Sequence, residues 1–67
     1  EQLLSKRELE ILTLLAEGLA KKEICNQLKI SYSTVDTHVA HIYNKLNASN
    51  APAAISKAYR KGILKTD

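Results

Sequence analysis

Lys21-Lys22-Glu23-Ile24-Cys25-Asn26-Gln27-Leu28-Lys29-Ile30-Ser31-Tyr32-Ser33-Thr34-Val35-Asp36-Thr37-His38-Val39-Ala40-His41-Ile42-Tyr43-Asn44-Lys45-Leu46 is the stretch that decides the fold. Ile24 and Leu28 lie one helical turn apart with Cys25 beside them, which predicts a short helix over 21–28. Lys29 and Ile30 make a turn. Ser31 then offers a side-chain oxygen as N-cap for a longer helix over 32–46. In that helix Val35, Val39, Ile42 and Leu46 fall at i, i+4, i+7 and i+11, lining up within roughly 60° of the circumference. Two helices joined by so short a turn have the spacing of a helix-turn-helix.

The flanking segments supply two more helices. Upstream, Ser5 and Glu8 form a capping box that starts a helix at Lys6 and carries it to about Glu17. Its apolar residues (Leu9, Ile11, Leu12, Leu14, Leu15, Ala16) spread beyond one stripe, so it should touch more than one neighbour. Gly18 suits the left-handed residue after its end. The second helix has a weak start, because Ala20 has no side-chain acceptor. Downstream, Asn47 is a plausible stop for the third helix and Asn50 an N-cap for the fourth. Pro52 lies in that helix's first turn, where a missing N–H does no harm. The helix runs to about Lys61 and stops at Gly62. The expected fold is all-α, a tetrahelical bundle around the helix-turn-helix.

Composition agrees. The chain has 67 residues, enough for one domain over 1–67 with a thin core. Phe and Trp are absent and three tyrosines are the only aromatics, so Leu, Ile and Ala must build the interior. A single cysteine excludes an internal disulfide and fits a reducing compartment. No apolar run approaches the ~20 residues that span a bilayer. These features suggest a cytoplasmic protein without membrane contact. The opening Glu1-Gln2 lacks a methionine and reads as the start of a fragment, with a further domain expected upstream. The net charge of +3 permits a polyanionic partner without establishing one.

If the aliphatic row of the third helix faces the core, the opposite face carries Ser33, Thr37, Ala40 and Asn44, flanked by Asp36 and His41. That face is polar and nearly free of bulk. It can either enter a DNA major groove about 12 Å wide or remain a solvated surface. Lys21, Lys22 and Lys29 stand at the entrance and turn of the helix-turn-helix, Thr34 at the beginning of the third helix and Lys45 near its end. They suit phosphate contacts, or are scattered surface cations. In the fourth helix Ala51, Ala54 and Ala58 form a smooth stripe with Ile55 and Tyr59 on adjacent ground. This stripe suits either a second copy or the domain's own interior.

Leu4-Ser5-Lys6-Arg7-Glu8-Leu9-Glu10-Ile11-Leu12, Ala16-Glu17-Gly18-Leu19, Lys22-Glu23-Ile24, Ile30-Ser31, Thr34-Val35, Thr37-His38-Val39, Ile42 and Lys45-Leu46 together resemble the LuxR-type (NarL/FixJ-type, GerE-like) DNA-binding domain of bacterial transcriptional regulators. The resemblance runs from Leu4 to about Leu64. It implies a tetrahelical output domain controlled by an upstream receiver or ligand-sensing domain, with the third helix as recognition helix. It further implies DNA contacts from the positions of Lys22, Ser33, Thr34, Asp36, Thr37, Ala40 and Lys45, and a homodimer contact through the fourth helix, for which the alanine stripe offers Ala51, Ala54, Ile55 and Ala58. With the geometric candidates Lys21, His41 and Asn44 added, the expected partner is double-stranded DNA. No cofactor is implied.

The departures also bear on function. Family members often carry Lys at the positions of Asp36 and Ala40; an acid and a methyl stand there instead, so base preference cannot be copied across. Ala20 and Ala51 replace a hydroxyl-bearing residue and an arginine that are common there. His38 and His41 sit about 60° apart around the helix without an evident third ligand, so a metal site is not expected. His38 reads as a partly buried structural residue, and His41 as open enough to reach a phosphate when protonated. Cys25 reads as a small core residue and Glu8 as a cap partner, neither as catalytic. A helical protein-interaction module and a sigma-factor-like promoter-contacting domain are the competing readings. The helix after the recognition element speaks against the second.

Overall fold

The computed structural model describes residues 4–65. Four helices follow one another: α1 (Lys6–Ala16), α2 (Lys21–Leu28), α3 (Tyr32–Leu46) and α4 (Ala51–Arg60). The sequence reading places them within a residue or so at every end. Three starts use a side-chain cap, with Ser5 accepting from the Glu8 N–H, Ser31 from Thr34 and Asn50 from Ala53. Ala20 lacks one, as its side chain requires. Glu23 compensates: its Oε1 accepts the Ala20 N–H at 2.7 Å, so one otherwise orphaned donor is satisfied.

All four helices end by one device. A residue with positive φ (Gly18, Lys29, Asn47, Gly62) reverses the chain. The next N–H then reaches back to a carbonyl five residues earlier: Leu19 to Leu14, Ile30 to Cys25, Ala48 to Tyr43 and Ile63 to Ala58. This is the Schellman bond, and the residue that donates it is apolar each time. Leu19, Ile30, Ala48 and Ile63 all pack on the core. Each turn thus folds a hydrophobic anchor inward and sets the direction of the next helix. Glycine makes the left-handed step freely at two ends; Lys29 makes it within the helix-turn-helix itself.

α1 and α3 form the centre of the bundle. Each touches the other and both remaining helices, whereas α2 and α4 do not meet among the described residues. The aliphatic row Val35, Val39, Ile42 and Leu46 is at most 1% exposed, as its spacing requires. Ile11 and Leu12 from α1 and Ile24 from α2 fill the space opposite it. Because α3 meets the other three helices on the side of this row, its opposite face is left outside the bundle.

The alanine stripe of α4 requires a correction. Ala54 and Ala58, expected at a contact with a second copy, are completely buried in their own domain. Their small side chains let α4 lie close to α1 and α3, so they have no surface to offer a partner. Ala51 and Ile55 are half-buried, and Tyr59 is 41% exposed on ground next to them. Lys57 also donates a hydrogen bond to the carbonyl of Asn47, neutralising part of the negative end of α3.

Candidate nucleic-acid interface

α3 presents Ser33, Thr34, Asp36, Thr37, Ala40, His41, Asn44 and Lys45 to solvent, and Lys22 at the beginning of α2 is exposed as well. The fold therefore brings nearly all the sequence-derived candidates onto one side of one helix and its entrance. Along the middle of the face lie Thr37, Ala40 and Asn44, none longer than an amide side chain. A helix bearing short polar groups can approach base edges without steric obstruction.

At the N-terminus of α3 three hydroxyls gather. Ser31 Oγ lies 2.7 Å from Thr34 Oγ1 and 3.2 Å from Ser33 Oγ. It also accepts the Thr34 N–H at 3.1 Å, which fixes it as the cap. The hydroxyl protons can rotate between these partners and an incoming acceptor. Ser33 and Thr34 are thus held in place by the capping residue while remaining exposed.

Each flank of the polar face is tied to another helix by an ion pair. On one flank Lys21 Nζ, at the first position of α2, lies 2.6 Å from Asp36 Oδ1. The hydrogen bond to Asp36 is the main cause that holds the Lys21 ammonium above its ordinary pKa. On the other flank Lys45 Nζ lies 2.7 Å from Oε1 of Glu8 in α1. His41 Nδ1 stands 3.9 Å from the second oxygen of that carboxylate, so a protonated imidazole would join the pair. Lys22 and Lys29, by contrast, have no carboxylate partner among the described residues.

Glu8 has a larger role than its sequence position indicates. It is 4% exposed, accepts the Ser5 N–H at 3.0 Å and binds Lys45 through the same oxygen. Burial alone would raise its pKa. The Lys45 ammonium and the Ser5 donors outweigh burial and hold the carboxyl below its ordinary value of 4.5. A carboxyl whose folded pKa is depressed stabilises the fold above the unfolded pKa, and that contribution is lost as pH falls through the folded value. The melting midpoint should therefore drop as pH is lowered below about 4.5, with a smaller drop in Glu8→Gln. Parallel acid melting curves for the two proteins would refute this assignment.

The two ion pairs are the features that sequence reasoning missed. Lys21 and Asp36 were each expected as separate DNA contacts, and Lys45 as a free cation; the fold pairs all three. No local pattern signals contacts that span 15 and 37 residues. His38 is half-buried as expected, and its Nδ1 has no hydrogen-bond partner in the described structure. Cys25 is half-buried, with its Sγ donating to the Lys22 carbonyl. Among the described residues no three His, Cys, Asp or Glu side chains gather as metal ligands, and no helix is long and apolar enough to cross a membrane. A shallow cleft of about 290 Å³ at the end of α3 is lined by Leu46, Asn47, Lys57, Arg60 and Lys61, and so carries three cations and no thiol, imidazole or carboxylate.

Comparison with known proteins agrees with this architecture. Residues 2–58 match the family described as bacterial regulatory proteins, luxR family (GerE). The oxygen regulatory protein NreC of Staphylococcus carnosus is 46% identical over 63 residues, covering 94% of this chain and 29% of that protein. NreC of Staphylococcus epidermidis is 44% identical over the same length and coverage. Among solved structures, the transcription factor GerE superposes with a TM-score of 0.90 at 40% identity, covering 100% of both chains. The response regulator ChrA of a heme-sensing two-component system also gives 0.90, at 44% identity over 96% of this chain and 32% of its own. The chain thus spans less than a third of the length of the NreC proteins.

Proposed function

This chain belongs to the luxR family of bacterial regulatory proteins and is a DNA-binding helix-turn-helix domain, and we propose that it reads duplex DNA by placing the outer face of α3 in the major groove. The observation that carries this reading is the division of α3. Its aliphatic row is sealed in the core, and the row opposite, centred on Thr37, is free, short and polar. In this arrangement Ser33, Thr34, Thr37, Ala40 and Asn44 meet base edges or adjacent phosphates. Lys22 contacts the backbone at the helix-turn-helix entrance, and His41 and Lys45 do so along the Glu8 flank. Ala40 can offer only a methyl, which suits a thymine methyl.

We place the chain as the output domain of a longer cytoplasmic regulator of transcription, under an upstream receiver or sensing domain, and as a binding domain rather than an enzyme. The likeness to the response regulator ChrA supports a response regulator. The cleft beside α4, with its three cations and no nucleophile–base pair, offers no support for catalysis. Two copies pair through α4, with Ala51, Ile55 and Tyr59 as the contact in place of the buried alanines. The half-buried Ile55 and exposed Tyr59 support that placement. A twofold pair would set two α3 helices about one DNA turn apart.

Titration with labelled duplex across a salt series tests the reading. Affinity should fall linearly with salt on logarithmic axes, with a slope of about −0.9 for each phosphate neutralised. Absence of duplex binding even at low salt would overturn it.

A further inference from the structure

Asp36 is an anion on the side of the molecule that is to face a polyanion, and it is 57% exposed there. Its partner, Lys21, is a cation in the first turn of α2, where the helix dipole disfavours positive charge. The 2.6 Å contact relieves both and leaves that flank with no net charge. Lys22, the next residue, has no such partner among the described residues. One of two adjacent lysines at the helix-turn-helix entrance is therefore held sideways against α3, and the other is free.

Resting on the DNA reading above, we propose that the Lys21–Asp36 pair lowers the domain's affinity for duplex DNA of any sequence, by keeping the Lys21 charge from serving as a sequence-independent phosphate contact. Binding to DNA of arbitrary sequence is driven by cations on phosphates and the counterions they release. A domain with few cations at its interface depends on that term, and each one withdrawn weakens binding everywhere equally. Base contacts by Thr37 and its neighbours are untouched, so the ratio of affinities between sites is unchanged while absolute affinity and its salt dependence fall. Asp36 acts here on Lys21 rather than on a base, as a positioning residue with an electrostatic effect. The pair lies at the surface and joins two helices that already pack through Ile24 and Val35, so removing it should leave the fold intact.

A double-mutant cycle with Asp36→Asn and Lys21→Met tests the proposal. Each protein is titrated against a random-sequence duplex, and against a duplex that the unmodified protein has selected from a random pool. Asp36→Asn should tighten binding to the random duplex severalfold. It should also steepen its salt slope by about 0.9, equivalent to a further loss of roughly 3.5-fold between 50 and 200 mM salt. The selected duplex should gain by the same factor, leaving the ratio of selected to random affinity unchanged. In the Lys21→Met background the same change should leave the slope unaltered. An equal gain in both backgrounds would mean that Asp36 merely repels phosphate, and would overturn the proposal, as would an unchanged slope in the single variant. If the unmodified protein binds neither duplex, the DNA reading itself fails and the proposal with it. Circular dichroism and melting of all four proteins guard against misfolding as the cause.

Discussion

Thr37→Glu should abolish duplex binding while leaving the domain folded. Thr37 is exposed at the centre of the polar face of α3, and no helix covers it. In solution a glutamate there meets only water, so stability should change by no more than about 0.5 kcal/mol. In the groove it would lie between two phosphate backbones and present acceptors where bases and phosphates also present acceptors. An unpaired charge buried at an interface costs about 2–5 kcal/mol. At about 3 kcal/mol the loss exceeds 100-fold. The same substitution separates DNA binding from a helical protein-interaction role, because self-association through α4 should survive it. Retention of wild-type duplex affinity in a folded Thr37→Glu protein would place the DNA-reading surface elsewhere.

Ile42→Ala should have the opposite profile, with its largest effect on folding. Ile42 is completely buried in the row that attaches α3 to the other three helices. Truncating a buried isoleucine costs about 2–5 kcal/mol through lost burial and the cavity left behind. Stability of roughly 0.05–0.15 kcal/mol per residue leaves a chain this short only a few kcal/mol in total. A loss of about 3 kcal/mol should lower the melting midpoint by roughly 12–24 °C, since a domain of this size shifts by about 4–8 °C per kcal/mol. Any loss of DNA binding should then follow the unfolded fraction and recover on cooling. A midpoint within a few degrees of the unmodified protein would mean that α3 is not anchored by this row.

Placing these two residues on opposite faces needed only the sequence. Helical spacing determines the angle between Ile42 and Thr37, and burial of one aliphatic row exposes the row opposite. The starts at Ser5, Ser31 and Asn50 were legible for the same local reason, because a cap and the backbone N–H that donates to it lie three residues apart. Gly18, Asn47 and Gly62 marked ends because few other residues take a positive φ readily. Lys29 gave no such signal, since its left-handed turn is stabilised by the Ile30 anchor and not by its own preference.

What was not legible depends on distance through space. Periodicity reveals that Ala54 and Ala58 form a stripe but not which neighbour covers it. Packing against α1 and α3 assigns the stripe to the interior. Glu8 was recognisable as a cap, yet its burial and its bond to Lys45 depend on how α1 crosses α3. The Lys21–Asp36 contact likewise arises only once the turn at Lys29 sets the angle between α2 and α3. The candidate face was thus readable as a set of residues, and the charges bordering it were not readable as pairs.

Amide and methyl chemical-shift mapping of the isotope-labelled protein, titrated with a duplex that it selects, tests the central claim most directly. The account predicts the largest shifts at Ser33, Thr34, Thr37, Ala40 and Asn44, with the methyls of Val35, Val39, Ile42 and Leu46 remaining packed and little moved. Perturbations centred on Ala51, Ile55 and Tyr59, with Thr37 silent at saturating DNA, would contradict it.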